Sequence, residues 1–140
     1  MKIDLVTENE KLIPMYATNQ SAGLDLKSNI NTIIKKNTLL LIPTGIKMAI
    51  PAGYEGQIRS RSGLSSKGIF VLNAPGTIDA DFRGEIQVIL YNIGDQDFEI
   101  KQNDRIAQIV FSKFEQIEFK IITKLTETKR GENGFGSTGI

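Results

Sequence analysis

The 140-residue chain contains neither cysteine nor histidine. Disulfide bonds and thiol chemistry are therefore excluded. A general base has to be a carboxylate, a lysine or a tyrosine, and a metal ion would have to bind through oxygen atoms. No apolar run approaches the length that spans a bilayer, and the first residues lack the apolar core of a signal peptide.

Neither sign of charge is in marked excess, because 17 basic residues face 16 acidic residues and the net charge is +1. This balance gives no general attraction to nucleic acid or to an acidic membrane surface, so neither partner is expected. The length suits one domain with its own hydrophobic core. We therefore expect a soluble cytoplasmic protein.

Short β-branched or aliphatic segments, bounded by Pro, Gly, Asn or Lys, follow one another through most of the chain. Only Ser62–Lys67 has the composition of a helical turn or two. The pattern predicts an all-β fold, either a sandwich, a jelly roll or a distorted barrel. The predicted strands are Ile3–Val6, Thr32–Ile34, Leu39–Ile42, Gly45–Ile50, Tyr54–Arg59, Ile69–Leu72, Glu85–Asn92, Phe98–Ile100, Ile106–Phe111 and Phe119–Thr123.

The predicted strand Glu85–Asn92 has two apolar faces. Even-numbered positions from Ile86 to Leu90 share one face, and odd-numbered positions from Gln87 to Tyr91 share the other. The second face is too apolar to lie in free solvent. It indicates either a buried sheet or a contact between subunits.

The stretch Asn73–Gly84 holds two carboxylates, Asp79 and Asp81, with an aromatic residue and a guanidinium directly after them. Turn formers at both ends predict a hairpin or tight loop between two strands. On a strand the two carboxylates would point the same way, and like charges that close are costly unless a metal, an arginine or a substrate cation offsets them. The alternative is an ordinary polar hairpin with solvated aspartates.

Three other segments combine charged and polar residues near predicted strands. Ala22–Leu26 places Asp25 in an otherwise apolar strand, and the alternative is a polar residue on a sheet edge. Arg59–Gly68 joins guanidinium groups and hydroxyls to a helix start, whose unpaired N–H groups favour anions; the alternative is a Ser-capped turn. Asn103–Gln108 either leads functional side chains into a strand or is a turn followed by surface Arg and Gln.

The tail Arg130–Gly139 is rich in glycine, which is typical of a disordered chain end. It lacks the Gly-Lys-Ser/Thr ending of a phosphate-binding loop. However, it carries an arginine, two hydroxyls and a phenylalanine, so its N–H groups can wrap phosphate oxygens while the ring stacks on a base. A tail that orders only over a ligand would act as a lid.

Five segments resemble, in the same order, the motifs of the homotrimeric dUTPase family: Ala22–Leu26, Arg61–Gly68, Asn73–Gly84, Asp104–Gln108 and Arg130–Gly139. The resemblance implies a distorted jelly-roll or β-clip fold with one short helix, and a trimer with active sites at subunit interfaces. It implies Mg²⁺-dependent hydrolysis of dUTP to dUMP and pyrophosphate, which controls the dUTP level and supplies dUMP for thymidylate synthesis. Residues 1–125 would form the catalytic domain, and residues 126–140 a flexible arm that closes over the site.

The same resemblance assigns roles to the catalytic residue and to the residues that would contact the base and the sugar of the substrate. Asp79 matches the catalytic carboxylate that activates the attacking water. Phe82 stands where the family usually has Tyr, beneath the deoxyribose; its ring face would exclude a 2′-hydroxyl, but a hydrogen bond from the phenol would be lost. The positions matched to uracil reading are Asn73, Gly76, Thr77 and Ile78.

The remaining matched positions concern the phosphates and the tail. Asp25 matches an aspartate near the metal and phosphate end, where it acts through water or an arginine. The phosphate-binding positions are Arg61, Ser62, Gly63 and Gln108. The tail would bind the far phosphates and cover the uracil with these residues: Arg130, Phe135, Gly136, Ser137 and Thr138.

Two other functions fit parts of the pattern. The related dCTP deaminase group uses a glutamate on the strand after the hairpin, where this chain has Ile86–Leu90 and no acid. A non-catalytic binding or regulatory module could keep the fold and the pocket, although Asp79 and the complete tail favour an enzyme. Pyrophosphate release from dUTP, with dCTP, dTTP and UTP tested beside it, would distinguish the three.

Overall fold

The computed structural model describes residues 1–134 as antiparallel sheets around a shared core. The α-helix α1 spans Ser62–Ser65, and Glu10–Leu12 form a 3₁₀-helix. The all-β prediction with one short helix is therefore confirmed. The strands are β1 Asp4–Val6, β2 Met15–Tyr16, β3 Leu24–Lys27, β4 Thr32–Ile34, β5 Leu39–Pro43, β6 Lys47–Ala49, β7 Tyr54–Arg59, β8 Ile69–Val71, β9 Gly76–Ile78, β10 Gln87–Asn92, β11 Phe98–Ile100 and β12 Arg105–Lys113.

Two larger sheets and two strand pairs make up the domain. The five-stranded sheet has the order β2-β3-β12-β7-β9, and the three-stranded sheet has the order β5-β10-β8. The pairs are β1-β6 and β11-β4. Neighbouring strands are antiparallel throughout the part of the chain that the structure describes.

One hydrophobic core joins the two larger sheets. Leu26 of β3 and Ile109 of β12 are fully buried in it, as are Ile42 of β5 and Val88 of β10. The core is rich in isoleucine, whose branched side chain packs well on a pleated sheet. Three polar residues are also buried, Ser28, Thr44 and Asn92; the Nδ2 of Asn92, for example, donates to the carbonyl of Ile34 at 2.9 Å. The core therefore fixes the strands that carry the candidate site.

Most predicted strands lie within a few residues of the observed ones, and three have the predicted bounds: β4, β7 and β11. The predicted strand Phe119–Thr123 is wrong, because the chain is irregular there. Phe119 is 87% exposed and Ile121 is 97% exposed. β propensity produces a strand only where a partner strand is present, and no described strand of this chain pairs with the segment.

The outward face of the three-stranded sheet is apolar. Ile89 of β10 lies opposite Leu41 of β5, and Tyr91 lies opposite Leu39 and Phe70. The rings of Phe70 and Tyr91 are 5.8 Å apart between centroids. We call this surface the apolar sheet face; its members are Leu39, Leu41, Phe70, Leu72, Ile89 and Tyr91.

The alternation predicted for β10 is confirmed by burial. Ile86, Val88 and Leu90 are at most 1% exposed, whereas Ile89 and Tyr91 are partly exposed on the opposite side.

Within residues 1–134, no helix has both the length and the apolar composition needed to cross a membrane.

Candidate active site

The segment Asn73–Gly84 carries the chain between the two larger sheets. It leaves the three-stranded sheet after β8, adds β9 to the edge of the five-stranded sheet, and returns as β10. In β9, Thr77 lies opposite Gln57 of β7. The prediction of a hairpin or tight loop between two strands is therefore wrong, because the stretch contains a strand of its own, β9, which belongs to the other sheet. We call Asn73–Gly84 the crossing segment.

The two aspartates of the crossing segment lie in a turn after β9. The backbone N–H of Phe82 donates to the carbonyl of Asp79 at 3.2 Å, which closes the turn around Ala80 and Asp81. The expectation that the two carboxylates share one face of a strand is therefore wrong, because β9 ends at Ile78, before both of them. Both are exposed, and neither forms an ion pair with any residue of the described chain.

Arg83 holds this turn through backbone carbonyls. Its NH1 donates to the carbonyl of Ala80 at 2.6 Å and to that of Phe82 at 2.9 Å. The sequence allows an arginine to offset the charge of the aspartates, but the Arg83 guanidinium is hydrogen-bonded to the backbone instead. The carboxylate of Asp79 is left free for another partner.

A cavity of about 320 Å³ opens beside Asp79. The crossing segment lines it with Thr77, Ile78, Asp79 and Phe82, and the apolar sheet face contributes Leu41 and Ile89. Six of the residues proposed from the sequence lie on the crossing segment, and four of them line this cavity: Thr77, Ile78, Asp79 and Phe82. The cavity therefore sits where the crossing segment meets the apolar sheet face.

Asn73 and Gly76 are packed together at the start of β9. A Cβ atom on the buried Gly76 would lie 3.0 Å from the Asn73 Nδ2. The side-chain amide of Asn73 therefore packs directly against the backbone of Gly76. β9 pairs with β7 on one side only and forms an edge of the sheet. Its outer N–H and C=O groups can therefore accept a partner.

A second group of polar residues surrounds Asp25 on β3. Arg61 Nε lies 3.1 Å from Asp25 Oδ1, and Arg105 NH1 lies 3.3 Å from Asp25 Oδ2. Arg61 also donates from NH1 to the carbonyl of Arg105 at 2.7 Å. Because β3 lies between β2 and β12, Asp25 is not on a sheet edge.

Arg105 was not singled out from the sequence, where it reads as a surface arginine after a turn. Its partner Asp25 is 80 positions away, so no local pattern could show the contact. Only the pairing of β12 with β3 could have indicated this contact, because Arg105 is the first residue of β12 and Asp25 lies on β3.

Helix α1 follows Arg61 and leaves its first turn open. Arg61 is the N-cap residue, and no side chain makes a capping hydrogen bond. The alternative of a Ser-capped turn is therefore wrong. Ser62 and Gly63 are exposed, and a Cβ on Gly63 would meet nothing within 4 Å. Uncapped N–H groups above open space suit an anion.

Gln108 lies on β12 directly opposite Asp25 on one side and Arg59 on the other. Its Nε2 donates to the carbonyl of Ser60 at 2.9 Å, and it is half-buried. We call the whole group the arginine cluster; its members are Asp25, Arg61, Ser62, Gly63, Arg105 and Gln108.

In the described part of the chain, the side chains of the arginine cluster and of the crossing segment are not linked by polar contacts. Arg130 lies in an exposed turn, where its Nε donates to the carbonyl of Asn133 at 2.9 Å. The other proposed tail residues lie outside the described part of the chain: Phe135, Gly136, Ser137 and Thr138.

Comparison with known proteins gives one consistent family. A family model described as dUTPase matches residues 9–139. The chain is 52% identical over 136 residues to a deoxyuridine 5′-triphosphate nucleotidohydrolase of Orientia tsutsugamushi (strain Ikeda), which covers 95% of this chain and 92% of the relative.

Solved structures agree with the sequence comparison. A point mutant of the Staphylococcus bacteriophage 80alpha dUTPase with dUpNHpp superposes with a TM-score of 0.91 at 25% identity, covering 99% of both chains. A mutant dUTPase from phage phi11 of S. aureus, which has a structural Mg(II) ion, gives a TM-score of 0.82 at 21% identity over 91% of this chain and 100% of that one.

Proposed function

Because the chain belongs to the dUTPase family, we propose that it hydrolyses dUTP to dUMP and pyrophosphate with Mg²⁺, by water attack at the α-phosphate. The reaction would control the dUTP level and supply dUMP for thymidylate synthesis. The observation that carries the proposal is the cavity in which Asp79 and Phe82 stand beside the edge strand β9. It offers a base, an aromatic face and free backbone groups together.

Uracil recognition would use the free edge of β9. Backbone N–H and C=O groups at a sheet edge can form the same paired hydrogen bonds as the edge of a nucleobase. Gly76, Thr77 and Ile78 supply these groups, and the Asn73 amide packs on Gly76 at the same edge. The ring of Phe82 would lie beneath the deoxyribose and leave no space for a 2′-hydroxyl.

Asp79 would take the proton from the attacking water. The chain has no histidine, and the exposed carboxylate of Asp79 forms no ion pair within residues 1–134, so its charge is not already neutralised. Proton abstraction by a positioned carboxylate contributes about two to four powers of ten in rate. Positioning and charge stabilisation supply the remainder.

The arginine cluster would bind the phosphates. Arg61, the exposed Ser62 and Gly63, and Gln108 provide donors along one surface. Asp25 binds the Nε of Arg61 and the carbonyl of Arg105 accepts from its NH1, which leaves the remaining N–H groups of the guanidinium for an anion. Both carboxylate oxygens of Asp25 already face arginines, so its action on a metal would be indirect.

The residues present suit a magnesium ion that is bound mainly by substrate and water. Within the described residues, no three Asp or Glu side chains group together as a metal site. Mg²⁺ keeps several waters and commonly binds through substrate phosphates, with one or two carboxylates nearby. Bound there, the ion would neutralise charge on the phosphates, and Asp25 would contact it through water.

The protein would act as a homotrimer with its sites between subunits. The cavity beside Asp79 borders the apolar sheet face, where Leu39 is 48% and Leu41 50% exposed. Burying a side chain of this size contributes about 1.5–3 kcal/mol, which favours a covered face. No hydrogen bond or ion pair within residues 1–134 joins the side chains of the arginine cluster to those of the crossing segment, so we infer that the cluster of one subunit would complete the cavity of the next.

The C-terminal segment supports the same assembly. Residues 114–134 form no strand, and Ile117, Phe119 and Ile121 are exposed. Residues 1–125 would form the catalytic domain, and residues 126–140 an arm that closes over the site of another subunit. The arm would place Arg130, Ser137 and Thr138 on the far phosphates, with Gly136 between them. Phe135 would cover the uracil.

The experiment is pyrophosphate release from dUTP with Mg²⁺, measured beside dCTP, dTTP and UTP. We expect turnover of dUTP and little of the other three. Binding of dUTP without release would identify a non-catalytic module and refute the proposal. Ammonia release from dCTP would identify a deaminase, which β10 disfavours because its residues include no acid.

A further inference from the structure

The ring of Phe82 rests directly on Gly84. The three heavy atoms nearest to a Cβ built on Gly84 all belong to this ring: Cζ at 2.5 Å, Cε2 at 2.9 Å and Cε1 at 3.4 Å. Carbon atoms that are not bonded pack at about 3.5–4.0 Å. The Phe82 ring can therefore not keep its present position if residue 84 has a side chain.

The backbone around the ring is fixed independently of Gly84. Arg83 NH1 donates to the carbonyls of Ala80 and Phe82, and the Phe82 N–H donates to the carbonyl of Asp79. The position of the ring therefore depends on its own side-chain torsions and on the surface against which it rests.

We propose that Gly84 is a specificity-positioning residue, whose bare backbone seats the Phe82 ring in the orientation that distinguishes deoxyribose from ribose. The proposal rests on the proposed function, because it assigns Phe82 to the sugar. A methyl group at position 84 would move the ring and leave the fold intact, since Phe82 is 41% exposed and its side chain is not part of the buried core. Gly84 itself touches no substrate and acts through Phe82.

The test is a double-mutant cycle of four proteins: the parent, Gly84→Ala, Phe82→Ala and the combination. The measured quantity is the ratio of kcat/KM for dUTP to that for UTP. We expect Gly84→Ala to lower the ratio about tenfold, within the range for one misfitting group in a pocket. In the Phe82→Ala background, Gly84→Ala should change the ratio no further, because the ring through which it acts is gone.

Two kinetic results would overturn the proposal. One is an unchanged ratio in Gly84→Ala. The other is an equal effect of Gly84→Ala on the ratio with and without the Phe82 ring, which would show that the substitution changes specificity by altering the backbone and not by moving the ring. Thermal unfolding of all four proteins should give similar midpoints, and a large drop for Gly84→Ala alone would also show that the backbone, not the ring, gives way.

A crystal structure of Gly84→Ala separates this proposal from the proposed function. If the parent releases no pyrophosphate from dUTP, the proposed function is wrong, yet the crystal structure still shows whether the ring has moved. A ring in its parental place beside the new methyl group would refute the seating role whatever the activity. A displaced ring over an unchanged turn would support it.

Discussion

Replacing Asp79 by asparagine should abolish most of the chemistry and little else. The carboxylate is exposed and forms no hydrogen bond or ion pair within residues 1–134, so the amide removes no structural contact. The turn is closed by the backbone of Asp79, which the substitution does not alter. Stability should therefore stay within about 0.5 kcal/mol of the parent, as at ordinary surface positions.

The loss in rate follows from the loss of the base. An asparagine keeps the shape but cannot take a proton, and a placed general base is worth about two to four powers of ten. This corresponds to about 2.7–5.4 kcal/mol of transition-state stabilisation. We expect kcat to fall at least about a hundredfold while dUTP binding stays near the parental value.

The assay combines pyrophosphate release with calorimetric binding of the analogue dUpNHpp. Asp81→Asn is the matched control, because Asp81 lies in the same turn and is also exposed. It should keep near-parental turnover. Near-normal turnover in Asp79→Asn would refute the assignment, and Asp81 and then Asp25 would become the candidates for the base.

Four further results are expected. Phe82→Ala should raise activity on UTP relative to dUTP, Phe82→Tyr should stay near the parent, and equal rejection of UTP by the alanine variant would contradict a role for the ring. Asp25→Ala should lower kcat/KM for dUTP about tenfold by releasing the Arg61 guanidinium, and parental kinetics would contradict this. Leu41→Asp should lower the mass measured by light scattering from trimer to monomer, whereas an unchanged mass would place the interface elsewhere. Refolding Asp79→Asn with a chain truncated before Arg130 should restore activity at roughly a quarter of the sites. No recovery would mean that the crossing segment and the tail of a site come from the same chain.

Regular periodicity let the sequence predict the long elements of the fold. β7 has its predicted bounds, and the alternation in β10 gives the buried and outward faces correctly. β9 was missed because it begins with Gly76 directly after Asn73-Ala74-Pro75, and these turn formers predict a loop and not a strand. Phe119–Thr123 was predicted as a strand because its composition suits one, but composition does not show whether a partner strand lies in the same chain.

The candidate site was predictable mainly where the motif residues are contiguous. Thr77, Ile78, Asp79 and Phe82 line one cavity as a short stretch of sequence. The contact between Asp25 and Arg105 spans 80 positions and depends on strand order, which no local pattern contains. The role of Gly84 depends on a ring resting on its backbone, and a sequence cannot show that contact.

The passage of one segment between two sheets has a consequence for binding entropy. The crossing segment is anchored by β8 and β10 at its ends and by β9 in its middle. Ordering a free loop costs about 1–2 kcal/mol per residue, and here that cost is met when the domain folds. A ligand that binds β9 would meet a prearranged surface, so the cost of ordering the segment does not reduce its affinity. Amide hydrogen exchange should therefore find the N–H groups that β9 shares with β7 protected before any ligand binds.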